Sequence, residues 1–462
     1  MHKDQRVLVV GTTSDYIDLL RHKYPPQSLL FITSKEIRER ATEESPPKDE
    51  EILCQLDTLN SFKLNNQNDH NFIISLIKKH VALYKIALIG VACFDCESMA
   101  FASYIAAQFS LPYPPIEAVM ACRDKSITRE LWHKNQISTP HYARVSSLNQ
   151  ALEFFHSVQE NHSTYNDSVD LINNKSKLSP CVLKPIDSSG SERVFRCFSA
   201  KECESAYNTI CKPQKSSDII IERYVDGVEY SCDFIVGAFS SSSKSVGQIE
   251  DKKEIEDVIL IRLTRKIASP TSVFGTTMAY EILDKKFYLN NFLKNDLLKI
   301  LAKAAKALGI SRAICMVDFI VTESGDIFLL EMTPRPGGDC LPWLIERSMN
   351  IDILKLNIEF AKVQNSPLFD HDRNLSVCNR LIGLRIHAIK SGILKDICTK
   401  KVQSDPRVID IFIKHKPEHQ IILPPNNYDS WNLGHIIFKP FDDTPFKNQC
   451  IELLSMLKVK II

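Results

Sequence analysis

Several features that would each point to a function class are missing from this sequence. No run of apolar residues reaches the roughly 20 needed to span a bilayer. The amino end, Met1 to Gly11, leads straight into a strand-like Val7-Leu8-Val9-Val10 and is not expected to be a secretory leader. Excess charge is missing too, since 57 Lys and Arg face 56 Asp and Glu. No field of one sign draws the chain to nucleic acid or to an anionic membrane, and neither is expected as a partner. Glycines do not gather after the first strand, where Gly11 stands alone. A dinucleotide fingerprint needs three in register, so no nicotinamide cofactor is expected. Zinc spacing is also missing. Cys93-Phe94-Asp95-Cys96 has no second pair or suitably spaced histidines beside it. In His415-Lys416-Pro417-Glu418-His419 the proline argues against the helix that would align the two rings. Internal repeats are absent.

What is present suits a large globular protein. At 462 residues the chain fits two to four domains. Its 14 cysteines are scattered through strand-like and helix-like runs, which favours reduced thiols and a cytoplasmic location. Arg6–Val10, Leu29–Thr33 and Lys85–Gly90 read as buried strands separated by helices at 15–21, 71–80 and 97–109. That alternation predicts an α/β domain with a Rossmann-like parallel sheet over residues 1–120. Leu111-Pro112-Tyr113-Pro114-Pro115 breaks the chain, and a helical run follows from Ile116 through Asn135. Residues 157–180 read as a polar loop. Ser240–Ser245 and Glu250–Asp257 read as a second, either inert or a flap near an active site. Residues 376–462 form a strand-rich segment.

The strongest chemical signal runs from Ala313 to Asp339. Two β-rich stretches flank Glu323-Ser324-Gly325-Asp326, a hairpin signal. A two-residue loop at Ser324-Gly325 would pair Ile320 with Leu329 and set Asp318 opposite Glu331. Period-two alternation then puts both carboxylates on one face, their Cβ atoms roughly 5 Å apart. Acids placed like that repel unless a proton or cation lies between them. Carboxylate oxygens completed by water and phosphate are what Mg2+ prefers. A solvated pair of surface acids is the plain alternative, and the apolar Val317, Phe319, Ile320, Phe328 and Leu330 weigh against it.

Other signals are weaker singly. Lys125 opens a helix running through Trp132, and Lys184 lies on the strand Cys181–Pro185. The turn Asp187-Ser188-Ser189-Gly190-Ser191 that follows can present backbone N–H groups to phosphates. A buried strand ends at Glu222, and Glu229 appears as the chain re-enters a strand after Gly227. In order, Lys125, Lys184, the Ser/Gly loop, Glu222, Glu229, Asp318, Glu331 and Arg335 resemble the ATP-grasp superfamily of carboxylate–amine ligases. The arrangement is similar to that of D-alanine–D-alanine ligase and biotin carboxylase. Residues 121–375 would form the ATP-grasp domain, with 376–462 as a C-terminal lobe. Gly383-Leu384-Arg385-Ile386-His387 and Arg335-Pro336-Gly337-Gly338-Asp339 look like the group close to bacterial L-amino acid ligases.

The resemblance implies roles. Lys125 and Lys184 hold ATP phosphates under a loop containing Ser189, Gly190 and Ser191. Glu222 and the backbone of Arg223, Tyr224 and Val225 meet adenine, while Glu229 takes the ribose hydroxyls. Asp318 and Glu331 carry Mg2+, with Mn2+ as an alternative, and Arg335 stabilises the transferred phosphoryl group. The family pattern Glu-x-Asn-x-Arg departs here to Glu331-Met332-Thr333-Pro334-Arg335, so a second Mg2+ is expected to be held more weakly. Amide formation between small, amino-acid-like carboxylate and amine substrates follows, through an acyl phosphate with ADP released. A homodimer is left open. Two other readings also stay open: a carboxylase-like or purine-pathway ATP-grasp reaction, and a nucleotide-binding regulatory protein without turnover.

Overall fold

β1 (Asp4–Val10), β2 (Leu29–Ser34), β3 (Glu51–Cys54) and β4 (Ile86–Cys93) form a parallel sheet in the order β3-β2-β1-β4. All of β2 and the last five residues of β1 are buried, as suits parallel strands covered on both faces. Helices Ser14–Lys23, Gln67–Leu83 and Met99–Gln108 connect and cover them. The computed structural model describes residues 4–42, 46–54, 67–163, 179–211, 218–237, 258–269, 274–284, 286–287, 294–362, 378–427 and 429–462. The loops expected at 240–245 and 250–257, and residues 164–178 of a third, lie outside the described residues.

The helical run expected from Ile116 to Asn135 is two helices, Ile116–Arg123 and Lys125–Lys134. Asp124 divides them. Its Oδ1 accepts from the N–H of Ser126 at 2.8 Å and of Ile127 at 3.1 Å, an N-cap that starts the second helix. β5 (Tyr142–Val145), β6 (Cys181–Pro185), β7 (Phe195–Cys197) and β8 (Ile219–Arg223) form an antiparallel sheet, β5-β8-β6-β7. Helices Leu148–Ser163 and Ala200–Ile210 share its core through Phe155, Ala206 and Ile210. The first of these takes up residues 157–163, which the sequence reading gave to a loop.

β9 (Val228–Val236), β10 (Val258–Ala268), β11 (Thr277–Ile282), β12 (Ala313–Val321) and β13 (Ile327–Thr333) begin a large antiparallel sheet. The tail contributes β14 (Ile382–His387), β15 (Gly392–Cys398), β16 (Val408–Ile413), β17 (Gln420–Ile421), β18 (Asn432–Phe438) and β19 (Lys458–Ile461). Three of these complete the eight-stranded order β13-β12-β9-β10-β11-β14-β18-β16. Because β14 pairs with β11, hydrogen bonding runs unbroken across the boundary expected at residue 376. Leu297, Leu301 and Ala304 of helix Lys294–Ala307 pack with Phe234 and Cys315 of this sheet. Helices Leu341–Met349 and Ile353–Ala361 share a core with Ile235 and Ile314 of the large sheet and with Val7, Val9 and Phe31 of the parallel sheet. The two sheets are thus joined through one apolar layer.

One buried ion pair ties this interior to the loop after β13. Arg262 Nε donates to Asp233 Oδ2 at 2.5 Å, and both side chains are fully buried. The remaining donors of Arg262 reach Ser231 O at 2.9 Å, Thr264 Oγ1 at 2.7 Å and Ser231 Oγ at 3.1 Å. Asp233 Oδ1 accepts from the N–H of Gly337 at 2.8 Å. Gly337 is needed there, because a Cβ would lie 2.7 Å from Arg262 Nη2. Breaking such a pair strands a charge in low dielectric, so Arg262→Met should cost about 3–5 kcal/mol in urea unfolding. The double variant Asp233→Leu with Arg262→Met should lose less than the single losses combined. A single-variant loss below about 1 kcal/mol would mean that the pair is not dry.

Candidate functional site

Every residue expected at the nucleotide site except Arg335 lines one cleft of about 800 Å3 between the four-stranded and eight-stranded sheets. Its floor at one end is built around Glu222 on β8. Lys184 Nζ lies 2.6 Å from Glu222 Oε2, and Arg129 Nε donates to Oε1 at 2.8 Å. Burial works to raise this carboxyl, yet Arg129 and Lys184 together hold it below the ordinary value. Glu222 therefore fixes Lys184 in place, with a cation on each oxygen. The sequence reading missed Arg129, although it stands four residues after Lys125 on the same helix, a spacing that shares a face.

Lys125 begins that helix. Its N–H donates to Ile186 O at 2.9 Å and its Nζ to the carbonyl of Ser188, fastening the helix to the Ser/Gly loop. Burial, reinforced by Lys184 and Arg123 and partly offset by Glu331, pulls its ammonium down to about 8. In the loop, Ser189 Oγ donates to Glu97 Oε1 at 2.9 Å and Ser191 Oγ to Gly275 O at 2.8 Å. A Cβ on Gly190 would meet no atom within 4 Å, so the loop tip faces open space.

The β8–β9 connector supplies a different surface. The N–H of Arg223 is used by His141 O at 2.8 Å and that of Tyr224 by Pro180 O at 2.9 Å. A base edge placed there meets carbonyls and the Val225 N–H, not those two donors. Beside it the Arg196 guanidinium lies 4.9 Å from the Phe274 ring and 5.2 Å from the Tyr224 ring. This flat, cationic wall suits a purine face. Neither Arg196 nor Phe274 had a motif to mark it.

At the far end, Asp318 on β12 pairs with Glu331 on β13, as expected, but by another route. Near the turn Ile320 faces Phe328, one residue off the expected register. Thr322 N–H donates to Asp326 O at 3.0 Å, which closes a three-residue loop with Gly325 at a φ of +89°. A bulge at Leu330 then restores the Asp318–Glu331 match. Lys266 on β10, which the sequence reading also missed, bridges Asp318 and Glu229. Its Nζ lies 2.9 Å from Asp318 Oδ2 and also pairs with Glu229. Burial opposes its charge, but Asp318 and Glu229 raise it well above an ordinary lysine. Thr333 is buried and its Oγ1 has no hydrogen-bond partner. Among the described residues no three His, Cys, Asp or Glu side chains gather as a metal cage. Two opposed carboxylates lining the cleft fit a hard cation that takes its other oxygens from phosphate and water, and Thr333 does not line that cleft.

Arg335 lies elsewhere. It follows the end of β13, does not line the cleft, and donates through Nε and Nη2 to Cys96 Sγ at 3.0 and 2.8 Å. The expectation that it reaches phosphate from the strand face is corrected on this point. The loop turns out of the strand because Asp233 captures Gly337.

Comparisons with known proteins agree with this geometry. Residues 178–342 match the ATP-grasp domain. A segment of 158 residues is 28% identical to D-alanine--D-alanine ligase of Fusobacterium nucleatum subsp. nucleatum, covering 34% of this chain and 46% of that one. Against two curated relatives the chain spans 60% and 46% of their length. In fold it is similar to the L-amino acid ligase from Bacillus licheniformis, at TM-score 0.70 and 16% identity over 100% of both chains. It is also similar to the biotin carboxylase domain of Hydrogenobacter thermophilus 2-oxoglutarate carboxylase, crystallised with MgADP, ADP and bicarbonate. There the TM-score is 0.63 at 15% identity, over 100% of this chain and 92% of that one. Among the described residues no helix is long and apolar enough to cross a membrane. A nucleotide-sized cleft between two sheets, lined by paired acids and by lysines held in place, thus falls largely within residues 178–342, the segment that matches the ATP-grasp domain family.

Proposed function

We propose that this protein is an ATP-dependent carboxylate–amine ligase that releases ADP and phosphate, acting on small, amino-acid-like substrates. The observation that carries the reading is the opposed pair Asp318 and Glu331, with Lys266 joining Asp318 to Glu229, in the same cleft as Lys125 and Lys184. We retain the division into modules at 1–120, 121–375 and 376–462, with the third extending the central sheet. The carboxylate substrate attacks the γ-phosphorus of ATP, and ADP leaves as an acyl phosphate forms. The amine then attacks the acyl carbon, phosphate leaves, and the amine proton passes to solvent or phosphate. Mg2+ held by Asp318 and Glu331 would neutralise charge on the transferring group. Lys125 and Lys184 grip the phosphates, and Glu222 keeps Lys184 from swinging away. Lys266 exchanges its carboxylate partners for phosphate oxygens as the cleft fills. Arg196, Tyr224 and Phe274 flank the base, and Glu229 takes the ribose. Closure of the Ser/Gly loop over bound substrates would shield the acyl phosphate from water.

The deciding experiment identifies the products. A panel of acids and amines should contain a pair that raises ADP release and yields a new amide, and hydroxylamine should trap the acyl phosphate as a hydroxamate. Stoichiometric AMP would end the mechanism. Release of ADP driven by bicarbonate alone, with no amide, would move the protein to the carboxylase-like reading.

Lys125 gives the site a pH signature. Its charge in the empty cleft is present below about 8 and lost above it. Phosphate binding needs that charge, so Mg–ATP affinity measured by calorimetry should fall as pH rises from about 7 to about 9. In Lys125→Arg, whose guanidinium stays protonated, the fall should largely vanish. A flat profile in the parent protein would show that Lys125 does not meet phosphate.

Lys266→Met removes the cation between Asp318 and Glu229. Turnover should fall by about 100-fold, and Mg2+ should raise the melting temperature more than it does in the parent, because the metal then offsets an otherwise unbalanced acid pair. An equal Mg2+ response in both proteins would contradict the bridging role.

A further inference from the structure

The Ser/Gly loop, which lines the cleft, is clasped by a carboxylate from another module of the protein. Glu97 lies in the turn between β4 and helix Met99–Gln108, and its Oε1 accepts from Ser189 Oγ at 2.9 Å. Arg123 closes a ring around this contact. Its Nη1 lies 3.7 Å from the same Glu97 oxygen, and its Nη2 donates to Asp187 O at 3.0 Å, where the loop begins. The turn that carries Glu97 is stiff. Asp95 Oδ1 accepts from the Ser98 N–H at 2.6 Å, and β4 is paired with β1. The loop has less support of its own. A Cβ on Gly190, beside Ser189, would meet no atom within 4 Å, and the Glu97 side chain is 37% exposed. The Ser189–Glu97 contact can therefore open without repacking a core.

A hydroxyl has one hydrogen to donate. While Ser189 gives it to Glu97, none is left for a phosphate oxygen, and a carboxylate is a strong competitor for it. The loop also carries the carbonyl of Ser188 that Lys125 holds through Nζ, so its position sets where that ammonium points. Whatever holds Ser189 thus acts on two phosphate-directed groups at once.

We propose that Glu97 is a positioning residue that withholds Ser189 from the nucleotide and yields it to the phosphates of ATP, so that the Ser/Gly loop closes against the resistance of the N-terminal module. This rests on the ATP reading of the cleft and adds a control on it that lies outside the cleft. Apparent affinity for Mg–ATP is then lowered by the share of molecules in which the contact is made.

The test uses the full chain, with melting temperatures to confirm folding, Mg–ATP affinity by calorimetry and amide exchange of residues 187–191. Glu97→Ala should bind Mg–ATP about 3-fold to 10-fold more tightly than the parent, the scale of one hydrogen bond no longer surrendered on binding. Its loop amides should exchange faster than the parent's without nucleotide, and at the parent's rate under saturating Mg–ATP, where the contact is already given up. A merely structural defect would speed exchange in both states. Glu97→Gln keeps an acceptor for Ser189 without the charge and should fall between the parent and Glu97→Ala in both readouts. In a Ser189→Ala background Glu97→Ala should change affinity by less than about 2-fold, because the residue acts through Ser189. An equal gain in both backgrounds would make Glu97 a carboxylate that only repels phosphate at a distance, and would overturn the proposal. Unchanged or weaker binding by Glu97→Ala would do the same. None of these measurements needs turnover. A parent that binds Mg–ATP but joins no acid to an amine loses the ligase reading alone, whereas parent-like binding by Glu97→Ala removes this inference alone.

Discussion

Two carboxylates that share a sheet face in a low-dielectric cleft repel, and the surrounding structure supplies the charge that lets Asp318 and Glu331 stand opposite each other. Lys266 provides it for Asp318 from β10, two strands away across β9, and Lys125 faces Glu331, so the order β13-β12-β9-β10 is as much a part of the site as the acids are. The same reasoning applies at the other end of the cleft. There Glu222 is matched by Arg129 and Lys184, and Lys184 stays aimed because its partner is rigidly held. Each lysine of the site is thus paired in part, and a polyanion with its metal can replace the pairing without a large reorganisation of the protein. Preorganisation of this kind favours phosphoryl transfer, in which positioning and electrostatics do nearly all the work.

Much of this was legible in the sequence, for identifiable reasons. Period-two alternation with a glycine turn exposed the hairpin, and the pairing of Asp318 with Glu331 survived an error in the loop. A three-residue turn shifts the register by one, and the bulge at Leu330 shifts it back. Sequence patterns count residues between strands but do not reveal bulges, so two compensating irregularities were invisible while their sum was not. The parallel α/β module was equally clear, because strands buried on both faces read as unbroken apolar runs. β3 was missed, being four residues long and only partly buried.

Residues whose role is to pair were the ones that pattern reading could not find. Arg129, Lys266, Arg196 and Cys96 carry no motif. A lysine in the strand Val258–Ala268 looks like any other charged residue until the sheet order brings it between two acids. Arg335 shows the opposite failure. Its place four residues after Glu331 suggested a continuing strand face, but β13 ends at Thr333 and the Asp233–Gly337 bond draws the chain away. Distance along the sequence predicts shared faces only while the element lasts.

The division of charge gives the cleft a direction. Lys184 shares Glu222 with Arg129 at one end and Lys266 joins Asp318 to Glu229 at the other, while Arg196 lies against Tyr224 and Phe274. Outside the cleft, on the side of the N-terminal module, Arg335 donates to Cys96 Sγ and feels the carboxylates of Asp95, Glu97 and Asp233. A ligand carrying negative charge would therefore exchange partners with cations already matched at both ends of the cleft, and a flat ring would find the aromatic wall beside Arg196.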